Sequence, residues 1–236
     1  MMDDMHDAVM LTVWAGEVDY RVALGWQEQL VEARREGLID DVLLMLSHPP
    51  VYTAGRHADV DANVTGLRPG IPVVRIDRGG DVTYHGPGQV VAYPIVRLDE
   101  ALGARRYVTA LEDALIDTVG AHGVSADRRH GYPGVWVGTD KIAAVGVRIT
   151  NRVTKHGVAL NVRPDLADFG GIVPCGITDG GVTSLSALGA EASTEDVARD
   201  LTAALAHHLR RTPRAVRPAE LGLHASVDAA PTLDAP

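Results

Sequence analysis

Residues 134–162 read GVWVGTDKIAAVGVRITNRVTKHGVALNV, and this stretch decides the architecture. Three apolar runs, 134–137, 141–149 and 156–162, follow one another with short polar turns between them. Strands that come in groups, rather than alternating strictly with helices, predict an α+β domain: a mixed β-sheet with flanking helices, here placed on one side of the sheet. Working upstream, residues 104–121 carry Val108, Leu111, Leu115 and Val119 on one helical face. Residues 90–97 and 71–76 read as strands on either side of a glycine-rich stretch, and 41–46 (DVLLML) as a buried strand. Val18, Val22, Trp26 and Leu30 recur every fourth residue over 17–36, and Gly37 stands where a helix C-terminal glycine belongs. Residues 8–14 read as the first strand. Downstream, Ser193 precedes Glu195 and Asp196 as a helix cap, with Leu201, Leu205 and Leu209 behind it. No repeat or linker interrupts the chain, so residues 1–212 are expected to form a single domain. Residues 213–236, with four prolines and weak periodicity, are expected to form a flexible tail.

Composition narrows the function classes. The net charge of −9 disfavours a protein that binds nucleic acid in bulk. No run of about 18 apolar residues suggests a membrane span, and the acidic N-terminus MMDDMHDAVM lacks the basic start of a secretory signal. A single cysteine excludes an internal disulfide and fits a reducing, cytoplasmic setting. It also leaves a structural zinc site without its usual ligands. Of the 22 basic residues only Lys141 and Lys155 are lysines. A chain that otherwise uses arginine for charge keeps lysine where a proton can be lost, or keeps these two by chance. The pairs Arg34-Arg35, Arg105-Arg106, Arg128-Arg129 and Arg210-Arg211 either dock an acidic partner or solvate helix faces.

Three stretches carry chemistry. Residues 78–89, RGGDVTYHGPGQ, set Arg78 and His85 among four glycines. That composition makes either a loop whose backbone closely approaches a ligand or an elaborate hairpin turn. It has neither the spacing of a phosphate loop nor that of a dinucleotide fold. Residues 170–185, GGIVPCGITDGGVTSL, place Cys175 at a turn between Pro174 and Gly176. The thiol is there either an exposed nucleophile, with the Gly176 N–H as a possible oxyanion donor, or an inert small side chain. In residues 138–161, Lys141 leads into a buried strand, where desolvation favours loss of its proton. A lysine ammonium beside a thiol favours the thiolate. His6, His57, His122, His130, His207 and His208 read as surface or loop residues, and His48, before two prolines, fits either class.

Taken together, these stretches resemble the lipoyl(octanoyl) transferase family. The resemblance rests on RGGDVTYHGPGQ at 78–89, Lys141 with Ala144-Val145-Gly146, and Gly157-Val158-Ala159-Leu160-Asn161. It also rests on Pro174-Cys175-Gly176-Ile177 with Thr183-Ser184-Leu185, and on HPPVYTAGR at 48–56. It covers about residues 45–190 well and the first helix reasonably. It implies a fold similar to the catalytic module of biotin and lipoate protein ligases. It also implies transfer of an octanoyl group from octanoyl-acyl carrier protein to a lysine of lipoyl domains of 2-oxoacid dehydrogenases or of the glycine-cleavage H protein. The implied catalytic residues are Cys175, as thioester-forming nucleophile, and Lys141. The implied substrate-binding residues are Arg78, Gly79, Gly80, Asp81, Val82, Thr83, Tyr84, His85, Ala144, Val145, Gly146, Gly157, Val158 and Ala159. No ATP, metal or other cofactor is implied, and the enzyme is expected to act as a monomer without nucleic acid or membrane. The rival readings are an ATP-dependent ligase of the same fold, a cysteine thioesterase or amidase, and a non-catalytic acyl-binding module.

Overall fold

The computed structural model describes residues 8–56, 58–59, 63–64, 66–99, 102–172 and 180–224. In chain order these form β1 (Ala8–Glu17), α1 (Tyr20–Glu36), β2 (Asp41–Ser47), β3 (Val51–Ala54), β4 (Val73–Arg75), β5 (Val82–His85) and β6 (Gln89–Ile95). They continue with α2 (Ala104–Ala121), β7 (Asp127–Arg129), β8 (Tyr132–Val137), β9 (Asp140–Thr150), β10 (Val153–Asn161), α3 (Thr194–His208) and β11 (Arg211–Ala215). Among the described residues one sheet has eight strands in the order β11-β1-β2-β6-β10-β9-β8-β7, and a second has three, β4-β3-β5. The large sheet is mixed: β1 runs parallel to β2 and β11, while β2–β6, β6–β10, β10–β9, β9–β8 and β8–β7 are antiparallel.

Helices cover both faces of this sheet, not one. Leu43, Met45, Val90, Val158 and Leu160 pack with α2 and α3 on one face. Leu11, Val13, Val42, Leu44 and Val91 pack with Ala23, Trp26 and Leu30 of α1 on the other. The reason is legible in β2, whose residues 41–46 are all buried: a strand apolar at successive positions needs partners on both sides. The α1 entry is capped by Asp19, whose Oδ1 accepts from the Arg21 and Val22 amides at 2.8 and 3.3 Å. Gly37 closes α1 with φ of 75°. Ser193 Oγ accepts from the Asp196 amide at 3.1 Å to open α3. No described helix is long and apolar enough to cross a membrane.

Where the tail was expected to begin, the chain instead adds β11 to the sheet edge and a 3₁₀ turn at Pro218–Leu221. A buried carboxylate explains the strand. Asp41, at the start of β2, accepts from Arg34 Nε of α1 and Arg211 Nε of β11, each at 2.6 Å, and from the Arg97 amide at 2.9 Å. Residues 225–236 lie outside the described residues. The same knot uses two of the arginines considered for docking. Arg128 is likewise spent on Glu112 and Asp113, and Arg35 on Glu32.

Candidate active site

A narrow cleft, partly open to solvent, is lined by β5 of the small sheet and by β9 and β10 of the large one. Its floor is built from small residues on one face of paired strands: Ala144 and Gly146 on β9, Gly157 and Ala159 on β10, with Gly146 directly opposite Gly157. The closeness needs glycine. A Cβ on Gly146 would stand 2.9 Å from Cδ of Arg78, and the Gly79 amide donates to the Val147 carbonyl at 3.1 Å, fastening the 78–80 loop to the floor.

Of the residues singled out from sequence, Arg78, Gly80, Thr83, Tyr84, His85, Ala144, Val145, Gly146, Gly157, Val158, Ala159 and Lys141 all line this cleft. Gly79, Asp81 and Val82 are not among the lining residues. Val82 is fully buried in the core of the small sheet with Tyr52, Ala54 and Phe169, and Asp81 is held by Asn63 and its neighbour's amide. Cys175 lies outside the described residues. The chain on either side of it is anchored. Upstream, Tyr84 Oη donates to Asp168 Oδ2 at 2.6 Å and Tyr52 Oη to the Asp168 carbonyl at 2.8 Å, tying the 3₁₀ turn Leu166–Gly171 to the small sheet. Downstream, the Lys141 amide donates to the Gly181 carbonyl at 2.9 Å, and the Thr183 amide donates to the Lys141 carbonyl at 3.0 Å.

Lys141 is buried, with 6% of its surface exposed. Its Nζ donates to the Pro133 carbonyl at 3.3 Å and stands 4.7 Å from the centre of the Trp136 ring. Both partners belong to β8, so this strand cradles the ammonium. Gly134 makes room for the lysine stem: it adopts φ of 130°, and a Cβ there would meet the Ala143 carbonyl at 2.5 Å and Lys141 Cε at 3.3 Å. The second lysine has a different use. Lys155 Nζ pairs with Asp77 at 3.0 Å, and Asp77 also holds Arg148 at 3.1 Å and His156 Nε2 at 2.7 Å. Burial alone would raise the Asp77 carboxyl, but the hydrogen bonds from His156 and Lys155 prevail and hold it well below the usual carboxylate range.

Burial holds the imidazoles of His85 and His156 in the cleft, and of His48 behind it, below their ordinary value. His48 Nδ1 lies 2.7 Å from the Val18 carbonyl and Nε2 lies 2.8 Å from Tyr93 Oη. A carbonyl only accepts, so Nδ1 carries the proton and Tyr93 donates to Nε2. Burial pushes the His48 imidazole down to about 4. His85 stacks on Tyr20, with ring centres 5.9 Å apart, and burial, then His48 and Arg78, hold its imidazole well below its ordinary value. Burial likewise lowers His156. Arg78 is clasped by the Thr53 carbonyl and hydroxyl and by the Gly79 carbonyl, at 2.9, 3.0 and 3.0 Å. Sequence reasoning missed Tyr20, Gln89, Tyr93, His156, Asn161 and Phe169 as cleft residues, and Trp136 as the support of Lys141. Gln89 and Asn161 end two of the motifs quoted above, which is the signal that marked them. The others come from scattered strands, a helix start and the 3₁₀ turn that holds Phe169, and only the fold brings them together.

Comparison with known proteins agrees with this geometry. The model of the lipoyl protein ligase A/B catalytic domain matches residues 19–206. An octanoyltransferase of Solibacter usitatus is 49% identical over 192 residues, spanning 79% of this chain and 87% of that protein. The octanoyltransferase of Mycobacterium leprae is 48% identical over 189 residues, 77% of this chain and 80% of its own. Among solved structures, lipoate-protein ligase A bound with ATP superposes with a TM-score of 0.75 at 15% identity, over 90% of this chain and 89% of the other. The bipartite lipoate protein ligase of Thermoplasma acidophilum gives 0.73 at 17%, over 89% and 87%. Biotin protein ligase of Aquifex aeolicus gives 0.51 at 14%, over 84% and 69%. At these identities the structural likeness speaks for the fold alone. The identity to curated octanoyltransferases over most of the chain, together with the domain match, shows that this chain belongs to the lipoyl protein ligase A/B catalytic-domain family, as one of its octanoyltransferases.

Proposed function

We propose that this octanoyltransferase takes its acyl group from octanoyl-acyl carrier protein onto Cys175. It then passes that group to a lysine of a lipoyl domain, in 2-oxoacid dehydrogenases or the glycine-cleavage H protein. The observation that carries the reading is the placement of Lys141. It is buried at the cleft, and its backbone N–H and carbonyl both bond to residues 181–183, the segment that follows Cys175. From Gly181 to Cys175 is six residues, so covalent continuity keeps the thiol within about 20 Å of that pairing.

The proton inventory closes. A Cys175 thiolate, favoured by the Lys141 ammonium, attacks the carrier thioester; a new C–S bond forms, the carrier's C–S bond breaks, and Lys141 gives its proton to the departing carrier thiolate. The neutral amine of the target lysine then attacks the Cys175 thioester. A C–N bond forms, the C–S bond breaks, Lys141 takes the proton from nitrogen, and Cys175 leaves as thiolate. Thioester exchange is close to isoenergetic and amide formation runs downhill, so neither ATP nor metal is required. The floor of Ala144, Gly146, Gly157 and Ala159 suits an unbranched alkyl chain, each buried methylene contributing about 0.8 kcal/mol. A single cysteine fits action in the reducing cytoplasm, and the protein acts as a single catalytic domain and a monomer.

The test is transfer to a purified lipoyl domain from octanoyl-carrier protein without nucleotide. Wild type is expected to transfer and Cys175→Ser not to. Activity that depends on ATP and survives Cys175→Ser would make the protein a ligase, as the fold of lipoate-protein ligase A allows. Octanoate released to water with the acceptor present would make it a thioesterase.

A further inference from the structure

A chain of hydrogen bonds with no freedom in it runs from the Lys141 strand to His85. The Thr183 carbonyl, on the segment paired with Lys141, accepts from Asn161 Nδ2 at 2.9 Å. Asn161 must therefore turn its oxygen to Gln89, which donates from Nε2 to that oxygen at 3.0 Å and to the Tyr84 carbonyl at 3.2 Å. Both alternative amide orientations would set oxygen against oxygen. Gln89 is thereby left with Oε1 facing His85 Nδ1 at 3.3 Å, and since an amide oxygen only accepts, Nδ1 carries the proton. Burial keeps the ring uncharged. Its other nitrogen, Nε2, then bears a lone pair, on a residue that lines the cleft.

This assignment bears on what His85 can do. A neutral imidazole with its proton committed to Gln89 cannot donate to an acyl carbonyl or to an oxyanion. It can only accept. Of the substrate groups that react in an acyl transfer to lysine, the amine is the one that brings N–H to the acyl carbon. Resting on the two-step transfer proposed above, we infer that His85 presents Nε2 as a fixed acceptor to the amine of the target lysine and turns its lone pair toward the thioester. Gln89 and Asn161 act through it as positioning residues. His85 takes a hydrogen bond in this role, while the proton itself goes to Lys141. An amide N–H on the carrier's pantetheine arm has the same chemistry, and the two sources separate by half-reaction.

The experiment has two parts. Nitrogen-15 NMR of the ring-labelled wild-type protein is expected to show His85 with a protonated Nδ1 and an unprotonated Nε2 at neutral pH, and a mixed tautomer in Gln89→Leu. A protonated Nε2 in wild type would overturn the inference regardless of any variant's folding. The half-reactions are then measured separately: acylation by octanoyl-pantetheine, and discharge of the isolated acyl-enzyme by lipoyl domain. His85→Phe is expected to slow discharge on the order of 10- to 100-fold, the effect of one hydrogen bond to a reacting group, and acylation much less. His85→Gln, which restores an acceptor oxygen, should recover part of the discharge rate. A loss confined to acylation would assign His85 to the pantetheine arm and equal losses in both half-reactions would assign it to the loop; either result would overturn the inference. If wild type forms no acyl-enzyme at all, the transfer mechanism fails instead, while the tautomer is still read from the spectrum.

Discussion

Two of the places where the protein buries polar groups differ in kind. At the foot of β2 the Asp41 carboxylate, 1% exposed, meets the guanidinium groups of Arg34 and Arg211: charge against charge, joining α1, β2 and β11. At the cleft and just behind it, burial holds His85 and His48 below their ordinary value, and the contacts of Arg78 and Lys141 include backbone carbonyls, a hydroxyl and an indole ring. Opposite charges locked together hold a fold. Cations beside a cavity, supported in part by carbonyls and an indole, suit a reaction in which anions come and go. Damage to the first place should therefore appear as lost stability with chemistry intact, and damage to the second as lost chemistry with stability intact.

The largest expected effect is at Lys141. Lys141→Met should lower octanoyl transfer by about 10³, within the usual range for a proton-transferring side chain, while the thermal midpoint moves little. A loss below about tenfold, measured as single-turnover transfer, would remove Lys141 from the proton path. Asp41→Ala should do the reverse. It strands two partly buried arginines, at a cost of about 3 kcal/mol, or a midpoint lowered by roughly 10 °C, with transfer near normal at a temperature where the protein is folded. Calorimetry and the same transfer assay decide it; a variant that is stable but inactive would erase the contrast between the two places.

Acid should expose the cleft's neutrality. Each buried histidine has a folded value below its unfolded one, so between the two the unfolded chain binds more protons and stability falls as pH falls. For His48, lowered from 6.5 to about 4, the loss is fully absent above about 6.5 and reaches on the order of 3 kcal/mol by about pH 4. Urea unfolding across that window should show it in wild type, and less of it in His48→Gln. The smallest expected effect is at Trp136. Replacing it by Leu removes about 1 kcal/mol of cation–π support from Lys141, so transfer should slow several-fold, with Phe in between. An unchanged rate in Trp136→Leu would mean that the indole is not needed to support Lys141.

Much of this was legible in the sequence, for identifiable reasons. Four-residue spacings located α1, α2 and α3, because each helix buries one continuous stripe. The β3 and β5 strands were not read, since four residues each among Gly and Pro give periodicity nothing to act on. The coverage of both sheet faces was implicit in DVLLML but assigned to one side. The cleft's floor and loop were marked by glycine at 146 and 157, where an added Cβ would clash, and at 80, where φ is positive. Trp136, Tyr20 and Tyr93 carry no such mark, because their role exists only after β8, the start of α1 and β6 have been brought together. Lys155 resembled Lys141 in sequence, and only the fold shows that Lys155 serves the Asp77 cluster while Lys141 lines the cleft.

The central claim is covalent transfer through Cys175. Intact-mass spectrometry of the protein incubated with octanoyl-acyl carrier protein and no nucleotide tests it directly, with Cys175→Ser alongside. The expected result is a gain of one octanoyl group in wild type alone, discharged on addition of lipoyl domain. No adduct in either protein, with transfer still observed, would contradict the account.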